Sequence, residues 1–228
     1  VNSTERTLEQ WKPAPLPEPV TLTGKWVTLE PLSAAKHGRA LWEVIHGHDE
    51  IWTWLADGPY VREEELAEAL LAKETGTSAR FFAILPSDTK YAAGYASLMR
   101  IDPANGVIEV GNILLSPSLQ RTAAATEAMF LMARYVFESL GYRRYEWKCN
   151  AHNLPSRRAA ERFGFVFEGV FRQHMVVKGQ NRDTAWFSML DAEWPVRKRA
   201  FEAWLAPENF DSEGRQKRRL GDLTSTEK

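Results

Sequence analysis

The chain predicts an α+β fold built on a mixed sheet, on three observations. Apolar runs of strand length recur along most of its 228 residues. Neighbouring runs are mostly joined by hairpin turns, such as Pro103 with Asn105-Gly106 between "YAAGYASLMRI" and "VIEVGNILL". A few helical segments are interposed among them.

The elements follow in order. "WKPAPLPEPVTLTG" carries four prolines and predicts an extended arm over residues 1–23, with Trp11 anchoring it. The body, residues 24–206, opens with the strand "KWVTLEPL" and the helix "AAKHGRALWEVIHG". A short aromatic segment, "EIWTWLADGPY", precedes the helix "REEELAEALLAKE". Strands "RFFAILP", "YAAGYASLMRI" and "VIEVGNILL" come next. After a polar turn, a helix sets Met129, Met132, Ala133, Val136 and Leu140 on one face and stops at Gly141. "RRYEWKCN" is a strand and "PSRRAAERFG" a short helix ending at Gly164. Strands "FVFEGVFRQHMVV" and "TAWFSML" and the helix "PVRKRAFEAWL" close the body. Residues 207–228 are charged, have little to bury and predict a mobile tail. Acidic residues accompany the tail's "RQKRR", so the run reads as solvation rather than as a nucleic-acid patch.

Composition narrows the function classes. A hydrophobic content of 44% predicts a globular chain, of one domain or at most two. The net charge of −1 gives no general pull toward nucleic acid or an anionic membrane, so any basic site is local. One cysteine, Cys149, precludes an internal disulfide framework and fits a reducing cytosol, and a lone thiol in a strand reads as core. The start has no signal-peptide pattern, and no apolar run approaches the ~20 residues a membrane helix needs. A cytoplasmic protein is expected. His46-Gly47-His48-Asp49 lacks a third ligand at a usual spacing and reads as a helix end, so no metal is expected.

The stretch "SPSLQRTAAATEAM", residues 116–129, takes a strand into a helix through a polar turn. Helix starts leave backbone N–H groups unpaired, here from about Arg121 to Thr126, and such groups attract anions. The small side chains of Ala123, Ala124 and Ala125 let a ligand approach the backbone, and Arg121 adds charge. A phosphate or diphosphate accepts several N–H bonds at once. Alanines chosen for helix propensity would read the same way, so both accounts stand on this turn alone.

A second stretch, "NAHNLPSRRAAERFGFVFEGVF", brings strand, loop, short helix and strand in order. Together the two resemble the GCN5-related N-acetyltransferase (GNAT) superfamily, in its ribosomal-protein N-terminal, or Rim-type, branch. The family's coenzyme A signature, Gln/Arg-x-x-Gly-x-Gly/Ala opening a helix, corresponds to Gln120-Arg121-Thr122-Ala123-Ala124-Ala125, followed by Thr126-Glu127-Ala128. The second signature corresponds to Asn153-Leu154-Pro155-Ser156, then Phe163-Gly164-Phe165 and Glu168-Gly169. The likeness covers roughly residues 24–195, with "GQNRDTAWFSML" included. It implies a mostly antiparallel central sheet whose fourth and fifth strands splay, flanked by helices. Both glycine positions hold alanine here, which favours a right-handed turn and puts coenzyme affinity, not the fold, in question.

The resemblance implies an N-acetyltransferase that uses acetyl-CoA as co-substrate and a primary amine as acceptor, a protein N-terminus or a small molecule. Residues 120–126 would hold the diphosphate. Ile113, Leu114 and Leu115 would pair their backbone with the pantetheine arm and polarise the thioester carbonyl. Glu109, mid-strand between Ile108 and Val110, stands where histone-acetylating members carry a catalytic glutamate. Apolar neighbours should raise its pKa. A wetted strand face would explain the same residue. Ser156 corresponds to the Rim-type serine beside the departing thiol, and also suits the first turn after Pro155. Asn153 suits a bond to pantetheine or a helix cap. Trp52, Trp54 and Tyr60 on one side, and Phe171 and His174 on the other, would line the acceptor groove. Asp183 would orient the amine or pair with an arginine such as Arg182. Nothing suggests a strongly acidic groove, so a polycationic aminoglycoside is a less natural acceptor. A coenzyme-binding sensor or scaffold without turnover is the alternative, motivated by Ala123 and by the extra terminal arms. The chain is expected to be a monomer or a homodimer.

Overall fold

In the computed structural model, which describes residues 8–225, eight strands build one sheet. They are β1 (Leu22–Thr23), β2 (Val27–Pro31), β3 (Ala79–Pro86), β4 (Gly94–Asp102), β5 (Val107–Leu115), β6 (Arg144–Asn150), β7 (Val166–Val177) and β8 (Gln180–Leu190). The helices are α1 (Ala34–Ile45), α2 (Glu63–Thr75), α3 (Ala123–Arg134), α4 (Leu154–Arg162), α5 (Trp194–Leu205) and α6 (Leu220–Ser225). The strand order is β1-β2-β3-β4-β5-β6-β8-β7, antiparallel except for the β5–β6 pair. The parallel pair is the one joined through a helix, α3, as a crossover requires.

Strand alternation sends side chains to two cores. Phe82, Ile84, Ala96, Leu98, Ile108, Val110, Tyr145, Trp147, Phe187 and Met189 pack with α3 and α5. Ala83, Leu85 and Tyr95 face the other way, onto Leu41 and Ile45 of α1 and Leu66 and Leu70 of α2. The strand β5 changes face partway along. Between the pairs Ser97↔Gly111 and Tyr95↔Leu114 it carries one extra residue, and Asn112 there has φ +49°. Leu114 consequently lies in the α1–α2 core, although Ile108 and Val110 lie in the other.

The helix α3 differs from the one-faced helix expected. Every residue from Ala124 to Ala133 is buried, because α3 lies between the sheet and α5. The buried Glu127 accepts backbone N–H bonds from Lys25 (2.9 Å), Trp26 (2.5 Å) and Val27 (2.9 Å), tying α3 to the start of β2. A Cβ at Gly24 would lie 2.3 Å from the Glu127 carboxyl carbon, so glycine is required there.

The described part of the arm lies along the body. Trp11 Nε1 donates to Ala104 O (2.7 Å) and the ring covers Gly106, while Tyr142 donates to Pro15 O at 3.0 Å. The C-terminal expectation needs correction. Residues 207–225 are docked: Leu220 is fully buried, Asn209 is buried, and Trp204 Nε1 donates to Gln216 Oε1 at 2.8 Å. Leu220 reaches the main core, and the apparent shortage of apolar residues hid that one anchor. The "RQKRR" run is partly tied down locally, with Arg215 on Asp211 and Glu213 and Lys217 on Glu208 O. Residues 1–7 and 226–228 lie outside the described residues.

Candidate active site

The site begins where β5 and β6 part. Their parallel pairing runs from Val107↔Arg144 to Val110↔Trp147 and stops. Beyond it β5 continues to Leu115 paired with β4, and β6 continues to Asn150 paired with β8. Among the described residues, one edge of the backbone at Gly111–Leu115 therefore has no strand partner. The bulge at Asn112 gives the physical reason, since an extra residue bends and twists a strand away from its neighbour. Asn112 Nδ2 donates to Ser97 Oγ at 3.3 Å and Ser97 Oγ donates to Gly111 O at 3.0 Å, which hold the bulge. Ile113, Leu114 and Leu115 occupy this freed edge.

The turn into α3 follows directly. Arg121 takes the left-handed conformation, φ +64°, and Thr122 caps the helix. Its hydroxyl accepts the Ala125 N–H at 3.1 Å, and its carbonyl accepts the Thr126 N–H at 3.3 Å. Among the described residues no acceptor meets the N–H groups of Arg121, Thr122, Ala123 and Ala124. The expected row from Arg121 to Thr126 thus narrows to four, because the protein caps Ala125 and Thr126 itself. Gln120 is exposed, and its Nε2 donates back to Leu115 O at 3.1 Å. The alanines are helical and the single positive φ falls on Arg121, so their replacement of glycine creates no backbone strain.

On the other side of the gap, Asn153 caps α4: its Oδ1 accepts the Ser156 N–H at 3.1 Å. Of the two roles its position suited, the cap occupies this oxygen, leaving its amide nitrogen for a ligand. Trp147 Nε1 donates to Ser156 Oγ at 3.0 Å, which leaves the serine hydrogen to donate. Cys149 belongs to the core and lies beside Ser156; burial pushes its thiol up, against that hydroxyl.

The opposite face of β5, β6 and β8 is polar. Glu109 is buried, but its neighbours are cations rather than the apolar groups expected. Its Oε2 lies 2.9 Å from Lys148 Nζ and 3.1 Å from Arg100 Nε, an ion pair with each. Burial nevertheless pushes its carboxyl above the ordinary value, against the attraction of Lys148 and then Arg100. The wetted-face alternative fails on burial alone. Lys148 also meets Glu146 at 2.7 Å, and Arg144 joins Glu146 to Glu168.

Residues expected on the acceptor side divide into two groups. His174 and Asp183 line one groove with Phe171, Arg172, Gln173 and Asn181. Asp183 is tied to the Gln173 N–H (2.7 Å) and the Asn181 amide (2.9 Å) rather than to an arginine, and these bonds hold its carboxyl below the usual range. His174 pairs with Thr184 Oγ1 at 2.9 Å; burial, then Arg100, Arg182 and Lys148, hold it below its ordinary value. Trp54 and Tyr60 stand apart from this groove. Tyr60 donates to Asp57 at 2.8 Å and packs edge-on against Trp52, so it holds its own loop together, while Trp54 is 39% exposed. The β7–β8 turn reaches across to that loop, where Lys178 Nζ donates to Trp52 O at 3.1 Å.

Comparison with known proteins agrees with this geometry. Residues 27–166 match the family model described as Acetyltransferase (GNAT) domain. The chain belongs to the GNAT acetyltransferase family. A GCN5-related N-acetyltransferase from Brucella melitensis is similar at 53% identity and a TM-score of 0.93, over 95% of this chain and 99% of that one. A Bacillus subtilis protein provisionally named as the ribosomal N-acetyltransferase YdaF is 30% identical over 105 residues. That match covers 46% of this chain and 57% of YdaF, so the chain spans less than two-thirds of that relative. The microcin C7 self-immunity acetyltransferase MccE, solved in complex with acetyl-CoA and AMP, shares the fold at a TM-score of 0.65 and 21% identity, over 73% of this chain and 93% of its own.

Within this GNAT acetyltransferase, β5 and β6 are the splayed pair that the family calls its fourth and fifth strands. Three residues of the site went unread in the sequence, Arg100, Asn112 and Lys148, and Arg182 was read only as a partner for Asp183. Only Asn112 left a signal, as a Gly-Asn pair inside an apolar strand. The three cations sit in strands whose alternation alone does not say which face is covered. Among the described residues no group of three His, Cys, Asp or Glu side chains could hold a metal, and no helix is long and apolar enough to cross a membrane.

Proposed function

We propose that this GNAT acetyltransferase moves an acetyl group from acetyl-CoA to a primary amine by direct attack on the thioester. The observation that carries the proposal is the parting of β5 from β6 immediately before a helix mouth with four N–H groups lacking acceptors. A diphosphate fits that mouth. The amides of a pantetheine arm fit the free backbone at Ile113–Leu115 and the Asn153 amide nitrogen. MccE, which shares the fold, was solved with acetyl-CoA, which supports the coenzyme side.

The chemistry assigns each residue a task. Glu109 takes the proton of the acceptor ammonium through water, and its raised pKa suits a base better than an ordinary carboxylate. A backbone N–H on the freed edge of β5 polarises the thioester carbonyl. The neutral amine nitrogen bonds the carbonyl carbon and the carbon–sulfur bond breaks. The proton that the nitrogen then sheds ends on the departing thiolate, with Ser156 relaying it: the hydroxyl gives its hydrogen to sulfur and regains one from nitrogen. The α3 side admits the coenzyme and the polar side admits the acceptor, so the two meet at the gap. Of the two motives for a sensor without turnover, Ala123 weakens because it is helical, while the terminal arms leave that alternative to the assay below.

The test is thiol release from acetyl-CoA over a panel of primary amines, with acetylated product identified by mass. Acetyl-CoA that binds by calorimetry while no amine is acetylated would refute the transfer.

A further inference from the structure

The polar face beside Glu109 holds a surplus of positive charge. Lys148 is shared by Glu109 and Glu146, Arg144 by Glu146 and Glu168, and Arg100 rests on Glu109. Arg182 has no carboxylate partner among the described residues, and its Nε is buried without a hydrogen bond. Trp186 also has a buried indole N–H with no acceptor. Strand β8 pairs with β6 without a bulge from Leu190 to Thr184, so residues 182, 184 and 186 share one face. Lys148 Nζ sits 3.8 Å from the Trp186 ring centre, and Phe171 stacks on that ring at 4.4 Å.

Arg100 links the two ends of this face. Its Nε reaches Glu109, its Nη2 lies 3.9 Å from Met175 Sδ, and Met175 is the strand partner of Arg182. A buried donor left unpaired is costly. Two of them on one strand face, one belonging to the surplus cation Arg182 itself, call for an anionic oxygen ligand. Glu109, the proposed base, lies on the same face, with Lys148 at 2.9 Å and Arg100 at 3.1 Å on its Oε2. A ligand that meets the unpaired donors while presenting its amine to Glu109 has an ammonium and an anion in one small molecule.

We propose that the acceptor is a compact amine that also carries a carboxylate or phosphate, with Arg182 anchoring the anionic group and Glu109 facing the amine. This rests on the transferase assignment above and narrows it. The Lys178–Trp52 bond joins the hairpin turn to the facing loop, and the peptide arm of the experiment reads whether an extended chain is admitted. A polycation meets Arg100, Lys148 and Arg182 together and is repelled.

The experiment compares matched acceptors on the wild type, Arg182→Gln and Arg182→Lys. The pairs are an α-amino acid with its carboxamide, and phosphoethanolamine with ethanolamine, alongside a short peptide with a free N-terminus. The expected wild-type kcat/KM favours the anionic member of one pair by about 10- to 100-fold, the value of a charged hydrogen bond, and which pair responds separates carboxylate from phosphate. Arg182→Gln brings that ratio toward one, mainly through KM, and Arg182→Lys restores part of it. Wild-type preference for the neutral members or the peptide, or an unchanged ratio in Arg182→Gln, overturns the proposal. Calorimetry of the amino acid and of phosphoethanolamine on the CoA-bound protein reads the anchor without turnover, so a failed transfer and a failed anchor are told apart.

Discussion

Replacing Glu109 with glutamine keeps the shape of the side chain and removes its charge. Lys148 then retains Glu146 at 2.7 Å, and Arg100, 41% exposed, turns toward solvent. Lys148 keeps one of its two buried carboxylates and Arg100 is partly exposed, so the cost stays below the ~3–5 kcal/mol of stranding a buried charge without a partner. That is a loss of roughly 2–4 °C in Tm per kcal/mol for a chain of this length. Loss of a general base costs about 10²- to 10⁴-fold in rate, or about 3–5 kcal/mol of barrier. The rate loss therefore exceeds what unfolding explains, and thiol release beside thermal melts measures both. The acid limb of kcat/KM lies above the ordinary carboxylate value of 4.5 in the wild type and is missing in the variant. The sign for stability follows from the same shift. A carboxyl raised on folding contributes fully below its unfolded pKa, and that contribution is lost as pH rises through the folded value. Glutamine, with no proton to lose, gains on the wild type across that window. A variant within threefold of wild type that keeps the same acid limb would refute the base assignment.

Three further substitutions test the frame around the site. Glu127→Ala removes an acceptor shared by three backbone N–H groups and should cost about 3–5 kcal/mol; a denaturant titration showing less than ~1 kcal/mol would mean water replaces it. Arg121→Gly relieves a left-handed residue, worth about 1 kcal/mol, yet removes a charge beside the helix mouth. Melting temperature should hold or rise while calorimetry shows weaker coenzyme binding, and tighter binding would move the diphosphate elsewhere. Leu220→Asp places a charge at a fully buried position and should cost about 3 kcal/mol or more. Protease resistance of residues 207–219 equal to wild type would contradict the docked tail.

What the sequence disclosed and what it hid divide along a physical line. Local signals were legible: Asn153 as a position suited to a helix cap or a ligand, Gly164 as a helix stop with φ +90°, and Asn105-Gly106 as a hairpin turn. Two signatures in order located the helix mouth and the gap. Partners distant along the chain were not legible. Nothing near Glu127 says that residues 25–27 will donate to it, a separation of about a hundred positions. Lys148 sits in "YEWKCN", where alternation alone puts it on one face of β6, and only the register with β5 shows that Glu109 lies beside it. The all-round burial of α3 depends on α5, seventy residues later, so its apolar stripe understated its surroundings. The packing of residues 207–225 was not legible in their composition, because a few groups, Asn209, Phe210, Leu220 and Leu223, suffice to hold a charged segment on the core.

The charged face of β5, β6 and β8 has a cost that packing alone does not explain. The other half of the sheet, β2 to β4, is covered on that side by α1 and α2 and is apolar there. Had a helix extended over β6 and β8, apolar residues at 109, 146 and 148 would serve stability as well, since buried ion pairs are often replaced without loss by well-packed apolar groups. The chain instead stops its covering helices short and spans the remainder with the β7–β8 hairpin, pinned at Lys178. Charges held nearly dry beside a gap in the sheet are a poor way to build a core. They are a good way to keep a base, a surplus cation and an opening fixed within reach of each other before a substrate arrives.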